Sequence, residues 1–279
     1  MGSPSKVIFR EFKARTSRSR KLFKAARRDP NPDNIHDARV SIRRLIAVLD
    51  LCAVFHETGL FKKLKKRLKA VMIPLGELRD LHVQMELIAG LKGPETPPLF
   101  LYLEKIRRKA SGEEKAVLKA LNSFELDDIE AFEEFIGVSG KKAVPGHEMS
   151  RGEMTGLVSG LKAAAEKCEK RYLKDGSIAS FHKLRIALKK LRYTCELVLP
   201  AVEDFGKSDV ENIHSLQTEM GNIHDVDVLY NDFREFVRKK GLLSSSVKER
   251  LSLKGKRDRM LDGFNIKIKK TKILPKIKV

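Results

Sequence analysis

Apolar residues recur at helical spacing along nearly the whole chain, and no segment alternates in the way that would demand a sheet. Residues 4–28 hold ten bases against one acid, Glu11, which predicts a basic helix closed by the Asp-Pro-Asn-Pro-Asp stretch. Ile35, Ile42, Leu45, Ile46 and Leu49 then mark one side of a second helix, with Asp33 or Asn34 as its cap. Phe61, Leu64, Leu68, Val71 and Leu75 mark a third, with Lys62, Lys66 and Lys69 on a neighbouring stripe and Pro74 placed to kink or end the run. Further helices are predicted over 99–109, 113–136, 150–174, a segment capped by Ser177 and ended by Pro200, and then 210–220, 225–240 and 245–261. Residues 137–149, with three glycines and a proline, read as a linker between a first half, 4–137, and a second, 150–262. In the basic tail, 263–279, isoleucines interleave with lysines, which fits either a disordered polyanion arm or a short extended piece docked on the body.

One pattern occurs twice. The stretch IHDARVSIRRLIAVLDL, residues 35–51, and FHKLRIALKKLRYTCELV, residues 181–198, each place a His, a base three residues on, and two more bases seven and eight residues on. The matched sets are His36, Arg39, Arg43, Arg44 and His182, Arg185, Lys189, Lys190, at a constant offset of 146. At about 100° per residue, positions i, i+3 and i+7 fall within roughly 60° of one another, so each helix presents a His flanked by cations on one face. A second pair follows at an offset of 145: LGELRDLHV at 75–83 and MGNIHDVDV at 220–228. A repeat that nearly halves a chain of 279 residues predicts two similar halves within one domain.

Charge sharpens the reading. Lys and Arg number 57 against 37 Asp and Glu, a formal charge of +20, and self-repulsion of that size calls for polyanionic partners. Cys52, Cys168 and Cys195 form no CxxC pair, so they read as reduced, partly buried thiols, and with no long apolar run or secretory core the chain is expected to be cytoplasmic.

At these residues the chain resembles the CHAD family, the conserved histidine α-helical domain. The resemblance rests on the two His-containing helices, on Leu191, Arg192 and Tyr193, on Leu68 and Lys69, and on the Gly-xx-Arg-Asp and Gly-xx-His-Asp motifs that begin at Gly76 and Gly221. It implies an all-α fold of two four-helix bundles related by a pseudo-twofold axis. It further implies a basic groove between them that binds inorganic polyphosphate, and association with polyphosphate granules. The family is often joined to a domain marked by Glu-x-Glu-x-Lys; that motif does not occur here, so a free-standing copy is expected.

A polyphosphate chain needs rows of cations and no base readout. The expected contacts are His36, Arg39, Arg43, Arg44, Lys62, Lys66, Lys69 and Arg79 from the first half, with His182, Arg185, Lys189, Lys190, Arg192, His214 and His224 from the second. Asp80 and Asp225 would orient these bases through charge-assisted hydrogen bonds, and Tyr193 would pack or hydrogen-bond at the groove edge. Gly76 and Gly221, each four residues before its Asp, would allow close helix approach or a kink. Two other readings stay open. A chain this basic binds RNA or DNA backbones electrostatically, although aromatics at 6% and the absence of Trp leave few stacking platforms. Metal binding by His36, His82, His182, His214 and His224 with Asp80, Asp225 and Asp227 is opposed by the adjacent guanidinium groups, so no metal or other cofactor is expected. No phosphate-binding Gly-xxxx-Gly-Lys-Ser/Thr loop or nucleophile elbow occurs, and no enzymatic activity is expected.

Overall fold

The computed structural model describes residues 4–55, 59–91, 96–124, 150–198 and 207–270, together with 129, 130, 134 and 274. The expected linker, 137–149, lies outside the described residues. Eight helices and no strands occur among the described residues. They are α1 (Pro4–Arg28), α2 (Pro32–Phe55), α3 (Gly59–Ala89), α4 (Pro97–Ser123), α5 (Arg151–Asp175), α6 (Ile178–Val198), α7 (Lys207–Lys239) and α8 (Val247–Lys270).

Their boundaries follow from local chemistry. Asn31, rather than Asp33 or Asn34, caps α2: its Oδ1 accepts from the Asn34 amide at 2.9 Å, which leaves Pro32 at the first helical position, where its missing N–H costs nothing. Ser150 and Glu153 form a capping box on α5, and Gly176, at φ 57°, closes the same helix in the left-handed conformation. Ser177 caps α6, its Oγ accepting from the Ser180 amide at 3.1 Å.

Several expected breaks are absent. The third helix does not end at Pro74 but continues to Ala89, because Pro74 and the exposed Ile73 lie toward solvent, which can satisfy the carbonyl that loses its partner. Segments 210–220 and 225–240 merge into α7, and α4 runs unbroken past Gly112. The tail is also corrected. Residues 263–270 are neither a disordered arm nor an extended piece but the last two turns of α8, since Phe264 and Ile268 point into the core. Phe264 meets Tyr172 of α5 and Phe181 of α6, with ring centroids 6.1 and 5.4 Å apart. Burial of that kind outweighs the weak helix preference of a segment containing Gly263.

Within the first half α1 packs on α2, α2 on α3 and α3 on α4; within the second, α5 on α6, α6 on α7 and α7 on α8. Across the seam, α2 meets α6 and α3 meets α7, so helices carrying corresponding copies of the motifs face each other. One apolar core runs through both halves, and it includes Ile35, Ile42, Leu45, Leu184, Leu188 and Leu191 from the two repeat helices. Burying that side of each helix turns the cation-bearing side toward the seam.

A candidate polyanion site at the seam

The cations gathered at the seam come from three helices, and a fourth adds a histidine and a carboxylate. Arg39 and Arg43 of α2, Arg79 of α3, and Arg185 and Lys189 of α6 lie within electrostatic reach of one another or of the carboxylates between them. His36 approaches from α2 and His224 from α7, and His182 meets His224 edge to face, ring centroids 4.7 Å apart. Asp80 and Asp225 lie among these cations, Asp37 acts on His36, and Glu86 pairs with Arg79 at 2.9 Å.

Arg39 Nη1 donates to Asp80 Oδ1 at 3.1 Å. Asp225 makes no hydrogen bond among the described residues and acts on Arg185 and Lys189 through its charge alone. Gly76 lies beneath Arg39: a Cβ there would sit 3.5 Å from its guanidinium, an ordinary contact. The close approach expected at Gly221 is absent, since a Cβ there would meet nothing within 4 Å.

The electrostatics are those of a site short of anions. Burial, followed by the charges of Arg185, Arg43 and Arg39, brings Lys189 down to about 7. Burial and then Arg185, His182 and Lys189 bring His224 down to about 4. His36 is lowered as well, first by partial sheltering of its ring and then by Arg79, Arg43 and Arg39. Asp225 moves the other way, raised by burial and by Asp80 against the pull of Arg185. The buried Nε groups of Arg39 and Arg185 and the buried Nδ1 of His224 have no hydrogen-bond partner among the described residues. Two guanidinium N–H donors and one imidazole nitrogen are therefore unspent at the centre of the cluster.

Other expected residues stand apart. Lys62, Lys66 and Lys69 are exposed on the N-terminal half of α3. Helical periodicity puts Lys62 and Lys69 on the stripe of Gly76 and Asp80, about 27 and 17 Å of axial rise away from Asp80. His214, also exposed, contacts Thr218, and Lys190 projects into solvent one residue around α6 from Lys189. Arg44 and Arg192 turn toward Glu196, with N–O distances of 3.9 and 3.3 Å, and the Arg192 guanidinium covers the buried Tyr193 ring at 4.7 Å. His82 is buried, and Asp227 is held by Arg257 of α8 at 3.1 Å, so both are removed from the site histidines. No group of three or more His, Cys, Asp or Glu among the described residues is arranged to hold a metal ion.

Sequence reasoning missed Glu196, which follows Arg192 by one helical turn, and Arg15, whose charge reaches Glu196 from α1. The Glu196 signal was the i, i+4 spacing; Arg15 had none, because only the packing of α1 brings it there.

No curated protein matches this sequence. Among solved structures, the CHAD domain from the plant Ricinus communis superposes with a TM-score of 0.75 at 18% identity, covering 98% of this chain and 93% of that one. PptA from Streptomyces chartreusis superposes with a TM-score of 0.72 at 14% identity, covering 96% and 99%. At such identities the likeness concerns the fold. The CHAD domain sequence profile matches residues 12–231, a span containing every residue of the seam cluster, and the chain belongs to the CHAD family.

Proposed function

We propose that this protein binds inorganic polyphosphate, without enzymatic turnover, at the cation cluster between its two halves. The observation that carries the reading is Lys189: its ammonium is depressed to about 7 while buried Nε groups of Arg39 and Arg185 beside it lack acceptors. A row of phosphates would supply the missing acceptors and restore the ammonium. The resemblance to the CHAD family supports the choice of polyphosphate among polyanions. The aromatic surroundings favour it over nucleic acid, because Tyr193, beneath Arg192, and Phe181, against His182, are both buried and offer bases no platform.

The test is a competition titration at physiological salt. Labelled long-chain polyphosphate is displaced by unlabelled polyphosphate, pyrophosphate, RNA or duplex DNA matched by charge. Displacement by polyphosphate at markedly lower phosphate concentration is expected. Equal displacement by RNA would make the protein a general binder of phosphate backbones.

A further inference from the structure

The corner that joins α7 to α8 presents an apolar stripe to solvent. Gly241, at φ 68°, closes α7 in the left-handed conformation, with its amide bonded to the Arg238 carbonyl and the Leu242 amide bonded to the Val237 carbonyl. This closure tucks Leu242 against the core and turns Leu243 outward. The turn is then pinned. The Ser245 and Ser246 hydroxyls donate to the carbonyls of Leu242 and Leu243, and Arg250 Nη2 reaches back from α8 to the Leu243 carbonyl at 2.7 Å. The Ser246 amide bonds the Leu242 carbonyl at 3.1 Å, as in a helical turn. Leu243 at 39% exposure, Val247 at 45% and Leu251 at 63% follow at intervals of four residues and so lie along one side.

The rim of this stripe is cationic, and acids do not balance it. Lys240, Lys248 and Lys254 are exposed and form no ion pair among the described residues. The carboxylates within three turns of the corner on these two helices are engaged or enclosed: Asp232 accepts from Gln84, Glu235 pairs with Arg238 and Lys239, Glu249 is buried, and Asp258 pairs with Arg257. Exposed leucines scattered singly are ordinary, but an aligned apolar stripe with a polar rim marks a docking surface. Polyphosphate and nucleic-acid backbones offer its leucines nothing to enter. A protein partner suits it poorly, because protein interfaces are depleted in Lys and enriched in aromatic residues, and residues 237–256 contain no aromatic side chain. A bilayer suits both parts: the headgroup and acyl boundary takes the apolar tip, and flexible lysine stems carry their ammonium groups to anionic headgroups.

We infer that the corner between α7 and α8 docks on an anionic lipid bilayer, with Leu243, Val247 and Leu251 entering the boundary between headgroups and acyl chains and Lys240, Lys248 and Lys254 lying against the headgroups. The contact is peripheral and reversible, since three aliphatic side chains bury far less apolar surface than a spanning helix. It uses no residue of the seam and is independent of the proposed function.

The experiment is sedimentation of the intact protein, at physiological salt, with vesicles of phosphatidylcholine alone or of phosphatidylcholine mixed with phosphatidylserine. Three double variants are compared: Leu243→Ser with Leu251→Ser, Lys248→Ala with Lys254→Ala, and Lys13→Ala with Lys24→Ala at exposed positions of α1; melting curves verify the fold of each. The intact protein is expected to bind the mixed vesicles and not phosphatidylcholine alone. On mixed vesicles the leucine variant should bind about 10-fold or more weakly, because its buried methylenes are lost. The corner lysine variant should lose about 5-fold or more, and the α1 variant no more than about 2-fold. The chain has no tryptophan, so Val247→Trp supplies one indole, whose emission should shift to the blue on mixed vesicles. An intact protein that does not bind, or an unshifted emission, would overturn the inference. A leucine variant that binds as the intact protein does, or equal losses from the corner and α1 lysine variants, would also overturn it and leave only the diffuse attraction of a chain with charge +20. A concentration-dependent dimer that the leucine variant abolishes would assign the stripe to a second copy and overturn it too. All of these outcomes leave the seam reading untouched.

Discussion

Arg39 reaches from α2 to α3 to hold Asp80 at 3.1 Å, and the same guanidinium keeps a buried Nε with no acceptor. The pair is half of an arrangement that a phosphate would complete. Asp80 is 61% exposed, so as an ion pair it contributes at most about 1 kcal/mol. Its charge, however, reaches Arg39, Arg185, His224 and Asp225.

Removing that charge therefore gains more than the loss of one orienting bond costs. Asp80→Asn is expected to tighten polyphosphate binding about 3-fold at low salt, with the gain shrinking as ionic strength rises. Isothermal titration across a salt series measures it, and a loss of affinity would show that orientation dominates.

Lys189 is expected to set the pH dependence of polyphosphate binding. Its folded value of about 7 lies below the ordinary 10.5, so in the empty protein the ammonium is present below 7 and disappears above it. A bound polyanion raises the value toward 10.5, and binding takes up a proton in that interval. Affinity should be full below pH 7 and fall between 7 and 10.5, by as much as about tenfold per unit near the middle of the range. Lys189→Arg, which restores the residue type of Arg43 in the other half, should flatten the profile above pH 7. An unchanged slope in that variant would assign the proton to another group.

Stability has a related dependence with its own sign. The folded values of Lys189 and His224 are both depressed, so protonation favours the unfolded chain. From His224, stability of the empty protein should rise with pH between about 4 and 6.5, and from Lys189 between about 7 and 10.5. Urea denaturation over pH 4 to 9 reads both intervals, and polyphosphate should reduce the second.

The end of α8 belongs to the fold. Phe264 is fully buried between Tyr172 and Phe181, and Phe264→Ala is expected to cost about 3 to 5 kcal/mol of stability. Cutting the chain after Leu253 removes Phe264 and Ile268 from the core. Such a truncation should lower the melting temperature rather than merely weaken polyanion binding. An unchanged melting temperature in the truncated chain would return these residues to the role of a loose arm.

Gly221→Ala is expected to stabilise the protein by about 0.5 to 1 kcal/mol. The position is interior to α7 and a Cβ meets nothing within 4 Å, so the change lowers backbone entropy in the unfolded chain without a clash. Thermal denaturation measures the gain, and destabilisation would point to a backbone requirement at this turn.

The spacing of His36, Arg39 and Arg43, repeated at His182, Arg185 and Lys189, was enough to place six cluster residues on two helix faces. The apolar residues of those same helices were enough to say which side would be buried. The pairing of Arg44 and Arg192 with Glu196 was hidden, because adjacent or i+3 residues differ by an angle whose meaning depends on which neighbour packs where. Here the neighbour is α1, which brings Arg15 to Glu196. The continuation of α8 was hidden for a different reason: Gly263 and the β-branched Ile266 and Ile268 argue against a helix locally, and the Tyr172–Phe181 pocket overrides them.

The facing helices α3 and α7 also carry a polar clasp built on the carboxylate of Asp232. Gln84 of α3 donates to Asp232 of α7 at 2.9 Å and accepts from Tyr102 of α4 at 2.5 Å. This bond joins the halves through residues outside the cation cluster. If polyphosphate binds at the seam as proposed, the two halves are expected to stay joined whether the cluster is filled or empty, so that the scaffold outlasts its cargo.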